Sequence, residues 1–179
     1  MGRLFSIVTR AAGLVVMVCL AGCGGLFQGT ADLGKAAPAV QPIEVGTYVD
    51  QKANPTRIEL TEDGGYRLTN ENAEELLVHI FGTVGGLYVA QLVPEADKQG
   101  LFGYAIIRID AEGIHLADEA TGLMGEMLFG RLGVPAPRDG ADVNSLTDNP
   151  ALNWALLQEF IVTYRSQLVF QRLYSPARP

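Results

Sequence analysis

Cys23 is the residue of this chain whose neighbours point most directly to chemistry. It closes the run Leu20-Ala21-Gly22-Cys23. A cysteine thiolate is a strong nucleophile and forms a thioether when it attacks an activated carbon. Ala21 and Gly22 put little bulk beside the Gly22–Cys23 bond, as a signal peptidase requires. The preceding residues complete the pattern. Arg3 and Arg10 charge the first ten residues positively with no acid among them, and Ala11 to Leu20 is an unbroken apolar stretch of ten. That length suits the apolar region of an export signal and is too short for a bilayer, which takes about 20 residues.

This ordered combination resembles the lipobox of bacterial lipoproteins. The resemblance implies a signal peptide over residues 1–22, cleavage between Gly22 and Cys23, a diacylglyceryl group on the Cys23 sulfur and an acylated new amino terminus (palmitate in many such proteins). The residue after the cysteine is Gly24 and not Asp. By the same resemblance, that favours a lipid-anchored protein of the cell envelope, sorted to the outer membrane and facing the periplasm. A plain secretory signal with a fortuitous cysteine, or an uncleaved anchor, are the alternatives.

Other reactive side chains make no comparable pattern. Cys19 leaves with the signal and Cys23 is consumed by lipidation, so neither a free thiol nor an intramolecular disulfide remains. The serines beyond the signal, Ser145, Ser166 and Ser175, lie outside any Gly-x-Ser-x-Gly turn. His79 and His115 stand alone in apolar runs, and a zinc site wants three or four ligands at set spacing. Asp110, Glu112, His115 and Asp118 match no such spacing and read as a solvated hairpin tip. Gly82 to Gly86 lacks the Lys-Ser/Thr of a phosphate loop. Asp142, Asn144 and Asp148 suggest a calcium loop, but Thr147 stands where its glycine belongs and Asn153 where its last carboxylate belongs. No metal, cofactor or catalysis is expected.

Charge narrows the partners. Without residues 1–22 the chain keeps eleven Lys+Arg against twenty Asp+Glu, a formal charge of −9. This charge argues against nucleic acid as a partner, and attachment to anionic lipid must come from the acyl chains at about 0.8 kcal/mol per buried CH₂. The expected membrane contact is thus the N-terminal acyl chains.

The elements that position these residues follow from apolar periodicity. Residues 23–42, rich in Gly, Ala and Pro, read as a lipidated flexible tether with a reach of about 25 Å. Leu26 and Phe27 are then free to dip into the membrane surface. Residues 43–179 form one β-rich globular domain of 137 residues. Seven short strands are expected between Ile43 and Ala117, joined by hairpin-length turns such as Glu62-Asp63-Gly64-Gly65 and Asp110-Ala111-Glu112-Gly113. Leu123, Met124, Met127, Leu128 and Leu132 fall at helical spacing. Asn149-Pro150 is an N-cap and first-turn pair, opening a helix whose stripe is Leu152, Leu156, Leu157, Phe160, Ile161 and Tyr164. Leu168 to Leu173 reads as a last strand. The fold class is α+β, mostly antiparallel β: a meander, with a C-terminal helix and a last strand.

Gly46-Thr47-Tyr48 on the first of these strands, the meander, the helix and a final strand carrying Arg172 resemble a lipocalin-like layout, in which the sheet closes into a barrel. Lipocalins carry Gly-x-Trp on the first strand, with an arginine from near the barrel's end packed over the ring. Here Tyr48 replaces the Trp, and the other family motifs are missing. If the sheet closes, Tyr88, Phe102 and Tyr104 are the candidate lining of an interior pocket. The default for that interior is an ordinary filled core, since protein interiors pack to crystal density. The expected role is a binding or interaction module with an envelope protein partner; the alternatives are a carrier of a small apolar ligand and an enzyme without a recognisable motif.

Overall fold

The computed structural model describes residues 26–93, 102–118 and 146–177. Nine strands are present among these residues: β1 (Leu26–Gly29), β2 (Gly46–Asp50), β3 (Pro55–Leu60), β4 (Tyr66–Asn70), β5 (Glu75–Gly82), β6 (Leu87–Val93), β7 (Phe102–Asp110), β8 (Gly113–Asp118) and β9 (Val169–Pro176). Among the described residues one α-helix, α1, spans Pro150–Tyr164. Every strand pairing is antiparallel. β2 to β8 run as an up-and-down meander. β9 lies between β8 and β2, and β8 pairs with β7, so strands β2–β9 close into an eight-stranded, lipocalin-like barrel. The expected strands from Ile43 to Ala117 and the last strand are all present. Closure removes the sheet edges that would otherwise invite pairing with another chain.

β1 is the strand the sequence reading missed. It pairs with the first half of β7, Leu26 opposite Ala105 and Gly29 opposite Phe102, while β8 takes the same edge of β7 from Ile107 onward. Residues 26–42 are therefore not a free tether. Phe27 and Leu33 are wholly enclosed, which corrects the expectation that Phe27 faces the membrane. Gln91 pins this arm: its Oε1 accepts from the Leu33 N–H (2.7 Å) and its Nε2 donates to Asp32 (3.0 Å). The Tyr104 hydroxyl donates to the Ala31 carbonyl. The Val40 N–H then donates to Ile80 O at 2.7 Å. Four residues of strand with one deeply buried side chain are too few to show a period, and the Gly-Ala-Pro composition masked them.

α1 begins as expected, the Asn149 side chain accepting from the Leu152 N–H at 3.1 Å. Its buried face is Asn153, Leu156, Leu157, Phe160, Ile161 and Tyr164. Leu152, assigned to that face from its spacing, is 45% exposed. The place in the interface goes to Asn153, which holds Thr147 through three hydrogen bonds of 2.7–3.0 Å and so is fully satisfied where it is buried. The expected helix from Leu123 to Leu132 lies outside the described residues.

The barrel wall from β5 to β8 is largely apolar on both faces, with His79, Gln91, Arg108 and His115 among the polar exceptions on the outer one. Outward, Phe81, Val89, Tyr104, Ile106 and Ala117 pack under α1 and the N-terminal arm. Inward, Val78, Ile80, Ala90, Leu92, Ala105, Ile107 and Leu116 face the barrel axis. On β3 to β5 the outer wall carries ion pairs, Arg57–Glu59 at 2.7 Å and Arg67–Glu75 at 3.5 Å, beside the exposed Leu77. A membrane-spanning barrel has the opposite arrangement, apolar outside and polar within.

Candidate functional site: a cavity within the barrel

One end of the barrel is floored. Ile43, on the chain entering β2, crosses that end and is held there by Tyr66, whose hydroxyl accepts from the Ile43 N–H and donates to the Ile43 carbonyl, each at 3.0 Å. The Tyr48 hydroxyl donates to Glu44 O at 3.0 Å. Burial pushes both phenols above their ordinary pKa, Glu44 adding to the effect at Tyr48. Tyr48, Tyr66 and Ile58 pack with Tyr88 in this floor.

Above the floor the interior is hollow. A cavity of about 730 Å³ is walled by Leu68, Leu76, Val78, Ile80, Ala90, Leu92, Ala105, Ile107, Ile114, Leu116 and Leu173. The expectation of a filled core is therefore corrected. An eight-stranded barrel is wide enough that inward side chains either just fill it or leave room for one small ligand. Here Ala90 and Ala105 are directly paired across β6 and β7, both facing inward, and two methyl groups replace what larger side chains would occupy. The volume falls within the roughly 300–1,000 Å³ typical of small-molecule sites.

The other end is the mouth, where the described residues place two hairpins of the same construction, β2–β3 and β4–β5. In the first, Asp50 Oδ1 accepts from the N–H groups of Lys52 and Asn54 (both 2.8 Å), and Asn54 Nδ2 donates to Asp50 Oδ2 at 2.9 Å. In the second, Asn70 Oδ1 accepts from the N–H groups of Asn72 (3.0 Å) and Glu74 (2.9 Å), and Asn70 Nδ2 donates to Glu74 at 2.7 Å. Each turn closes through an alanine in the left-handed region, Ala53 at φ 64° and Ala73 at φ 58°. Burial alone would raise the Asp50 carboxyl; the hydrogen bonds from Asn54 and Lys52 outweigh it and hold Asp50 below the usual carboxylate range. The carboxylate is thus charged and spent on the loop. Thr56 and Tyr174 add the polar groups just inside the mouth. Burial raises the Tyr174 pKa, a hydrogen bond with Thr56 opposes that, and the Asp50 charge reinforces it.

The three residues expected to line a pocket divide between the two faces. Phe102 and Tyr104 point outward and belong to the cluster beneath α1, so they do not line the cavity. Their neighbours Ala105 and Ile107 do. Tyr88 points inward and lies with the floor residues. Arg172 is exposed and stands opposite His115, whereas Tyr48 is buried inside the barrel and stands opposite Pro176, so the arginine-over-ring contact does not form. Arg108 instead lies over Phe170, 5.1 Å from its centroid.

Asp110, Glu112 and His115 have ligand atoms within 4.8 Å of one another. His115 is bound to Asp110 (Nε2–Oδ1 3.0 Å), and Arg108 occupies the other Asp110 oxygen at 3.1 Å. The hairpin already holds its own cation in that guanidinium, and the group reads as a structural turn. His79 similarly bonds Asp63 at 3.1 Å on an exposed turn. Cys23 and Gly22 lie outside the described residues.

The described residues thus define a closed, lipocalin-like antiparallel barrel with an apolar interior cavity, floored at one end and open through a polar rim at the other. Comparison with known proteins finds no matching family model, no significantly similar curated protein and no matching solved structure. The likeness to lipocalins is one of architecture.

Proposed function

We propose that this protein is a lipid-anchored lipoprotein of the bacterial envelope, held at the outer membrane and facing the periplasm, that binds one small apolar molecule inside its barrel. The observation that carries the reading is the cavity of about 730 Å³ with its apolar wall. Of the two roles open to a module of this kind, docking an envelope protein and carrying a small ligand, the cavity favours the second. An apolar surface of that size gains roughly 25 cal/mol for each Å² withdrawn from water by an apolar guest. No catalytic role belongs to this reading.

The address rests on the lipobox, and the arm sharpens what the anchor would do. Between Cys23 and β1 stand Gly24 and Gly25 alone. Three residue steps span at most about 11 Å, at 3.3–3.6 Å each. The acylated cysteine would hold the β1–β7 wall against the head groups, so the barrel would work at the membrane surface, where apolar molecules concentrate.

The test is mass spectrometry of the protein purified from its own host in a non-lipidic detergent. The expected result is an N-terminal peptide that begins at acylated Cys23, lost in Cys23→Ala, together with an apolar molecule retained at stoichiometric occupancy. A chain that is recovered empty, and takes up no apolar probe when offered one, overturns the carrier reading.

A further inference from the structure

The cavity also carries information about which amphiphile it accepts. This rests on the carrier reading, since it concerns the same cavity. Charged groups lining the mouth are Asp50, Glu71 and Glu74, with Lys52 as the one cation among the described lining residues. Among the described lining residues, three carboxylates against one ammonium give a net charge of −2. Capturing an anionic head would call for a guanidinium fork or several ammonium groups, and no arginine lines this cavity among the described residues. Nor can the rim readily turn to offer other donors. The backbone N–H groups of Lys52, Asn54, Asn72 and Glu74 are already given to Asp50 and Asn70. What remains toward the entrance among the described residues is mainly acceptor oxygen and a net negative charge, besides the Lys52 ammonium and the Asn72 side-chain amide, with the hydroxyls of Thr56 and Tyr174 just inside.

We infer that the barrel selects amphiphiles whose head is neutral or cationic, tail inward among Leu76, Ala90, Leu92 and Ala105 and head between the two hairpins, and that it rejects fatty-acid carboxylates of the same tail. A carboxylate head placed at the rim meets the three acids at short range, where an unfavourable charge pair costs about 1 kcal/mol at 4 Å even in water. The penalty shrinks as salt shortens the screening length.

The experiment uses three probes with one tail: dodecanol, dodecylamine and dodecanoate. Each displaces a neutral fluorescent naphthylamine from the ligand-stripped protein. At low ionic strength the alcohol and the amine are expected to displace it at concentrations about five- to ten-fold below the carboxylate, with the gap narrowing at high salt. Replacing Glu71→Lys together with Asn72→Lys reverses the rim charge and leaves the loop's own hydrogen bonds in place. That variant is expected to bind dodecanoate at least about five-fold better and dodecanol unchanged. Equal displacement by all three at low salt, or a charge-reversed variant with no change for dodecanoate, overturns the head-group inference and leaves the cavity reading standing. Displacement by none of them, or binding undiminished by Ala90→Phe within the cavity, overturns the carrier reading as well.

Discussion

Tyr104 is wholly enclosed between the barrel wall, α1 and the N-terminal arm. Burial pushes its pKa up to about 12; hydrogen bonds with Asn153 and Ala31 pull it down, and the Asp32 charge pushes it further up. An unfolded tyrosine ionises near 10, so between about 10 and 12 the unfolded chain gives up a proton that the folded one keeps. Stability conferred by this group is therefore fully present below about pH 10 and is lost as the pH rises through the folded value, by an amount on the order of 2 kcal/mol. Chemical denaturation from pH 8 to 12 checks this. Tyr104→Phe is expected to flatten that alkaline decline, at a cost of about 1 kcal/mol at neutral pH for the lost hydrogen bond. The same residue explains why the pocket lining was misread. Phe102, Tyr104 and Ile106 alternate with Ala105 and Ile107, and every one of these is apolar, because one face of β7 meets α1 and the other meets the cavity. A strand buried on both faces has no polar side to set its direction. Assigning the large aromatics to the pocket reversed the physical logic, since a barrel is hollow where its inward residues are small.

At the scale of elements, closure depends on the seam between β8 and β9. Gly113 opens β8 at φ +136°, and a Cβ there would lie 1.9 Å from the Tyr174 carbonyl oxygen. The next pair, Ile114 opposite Tyr174, precedes a register shift at His115. Backbone and not a flexible side chain blocks that space, so relaxation requires the strands to part. Gly113→Ala is expected to destabilise the fold by at least about 3 kcal/mol, from overpacking added to a backbone conformation that L-residues avoid. Thermal unfolding of the variant measures it, and loss of apolar-probe uptake at temperatures where wild type still binds would show that the cavity depends on closure. The turn itself was readable in Asp110-Ala111-Glu112-Gly113, because hairpin turns announce themselves in local residue types. Its role in closure was not, since Tyr174 lies sixty-one positions from Gly113 in the chain. The two mouth hairpins differ in that Ala53 and Ala73 hold left-handed backbone where glycine would rest more easily. Ala53→Gly with Ala73→Gly is expected to raise the melting midpoint by a few degrees, at about 1 kcal/mol per relieved residue.

For the whole molecule, the local signals carried far. The charged, apolar and small residues leading to Cys23, the alternation of the strands, the turn chemistry and the Asn149-Pro150 helix start are all properties of a few consecutive residues. They sufficed for an α+β class and an order of elements. Tertiary structure decided the rest. It made residues 26–42 a packed arm, because Gln91, Tyr104 and Ile80 offer partners far along the chain to backbone groups with no local pattern. It decided that the barrel is hollow, because the paired Ala90 and Ala105 leave volume only when strands from the whole chain surround them. It brought Asp50, Glu71 and Glu74 to one rim, because two separate hairpins end on the same side of a closed sheet. Periodicity reports which residues avoid water. Whether that avoidance ends in a filled core or an open cavity depends on distances across the barrel, which exist only once it has closed.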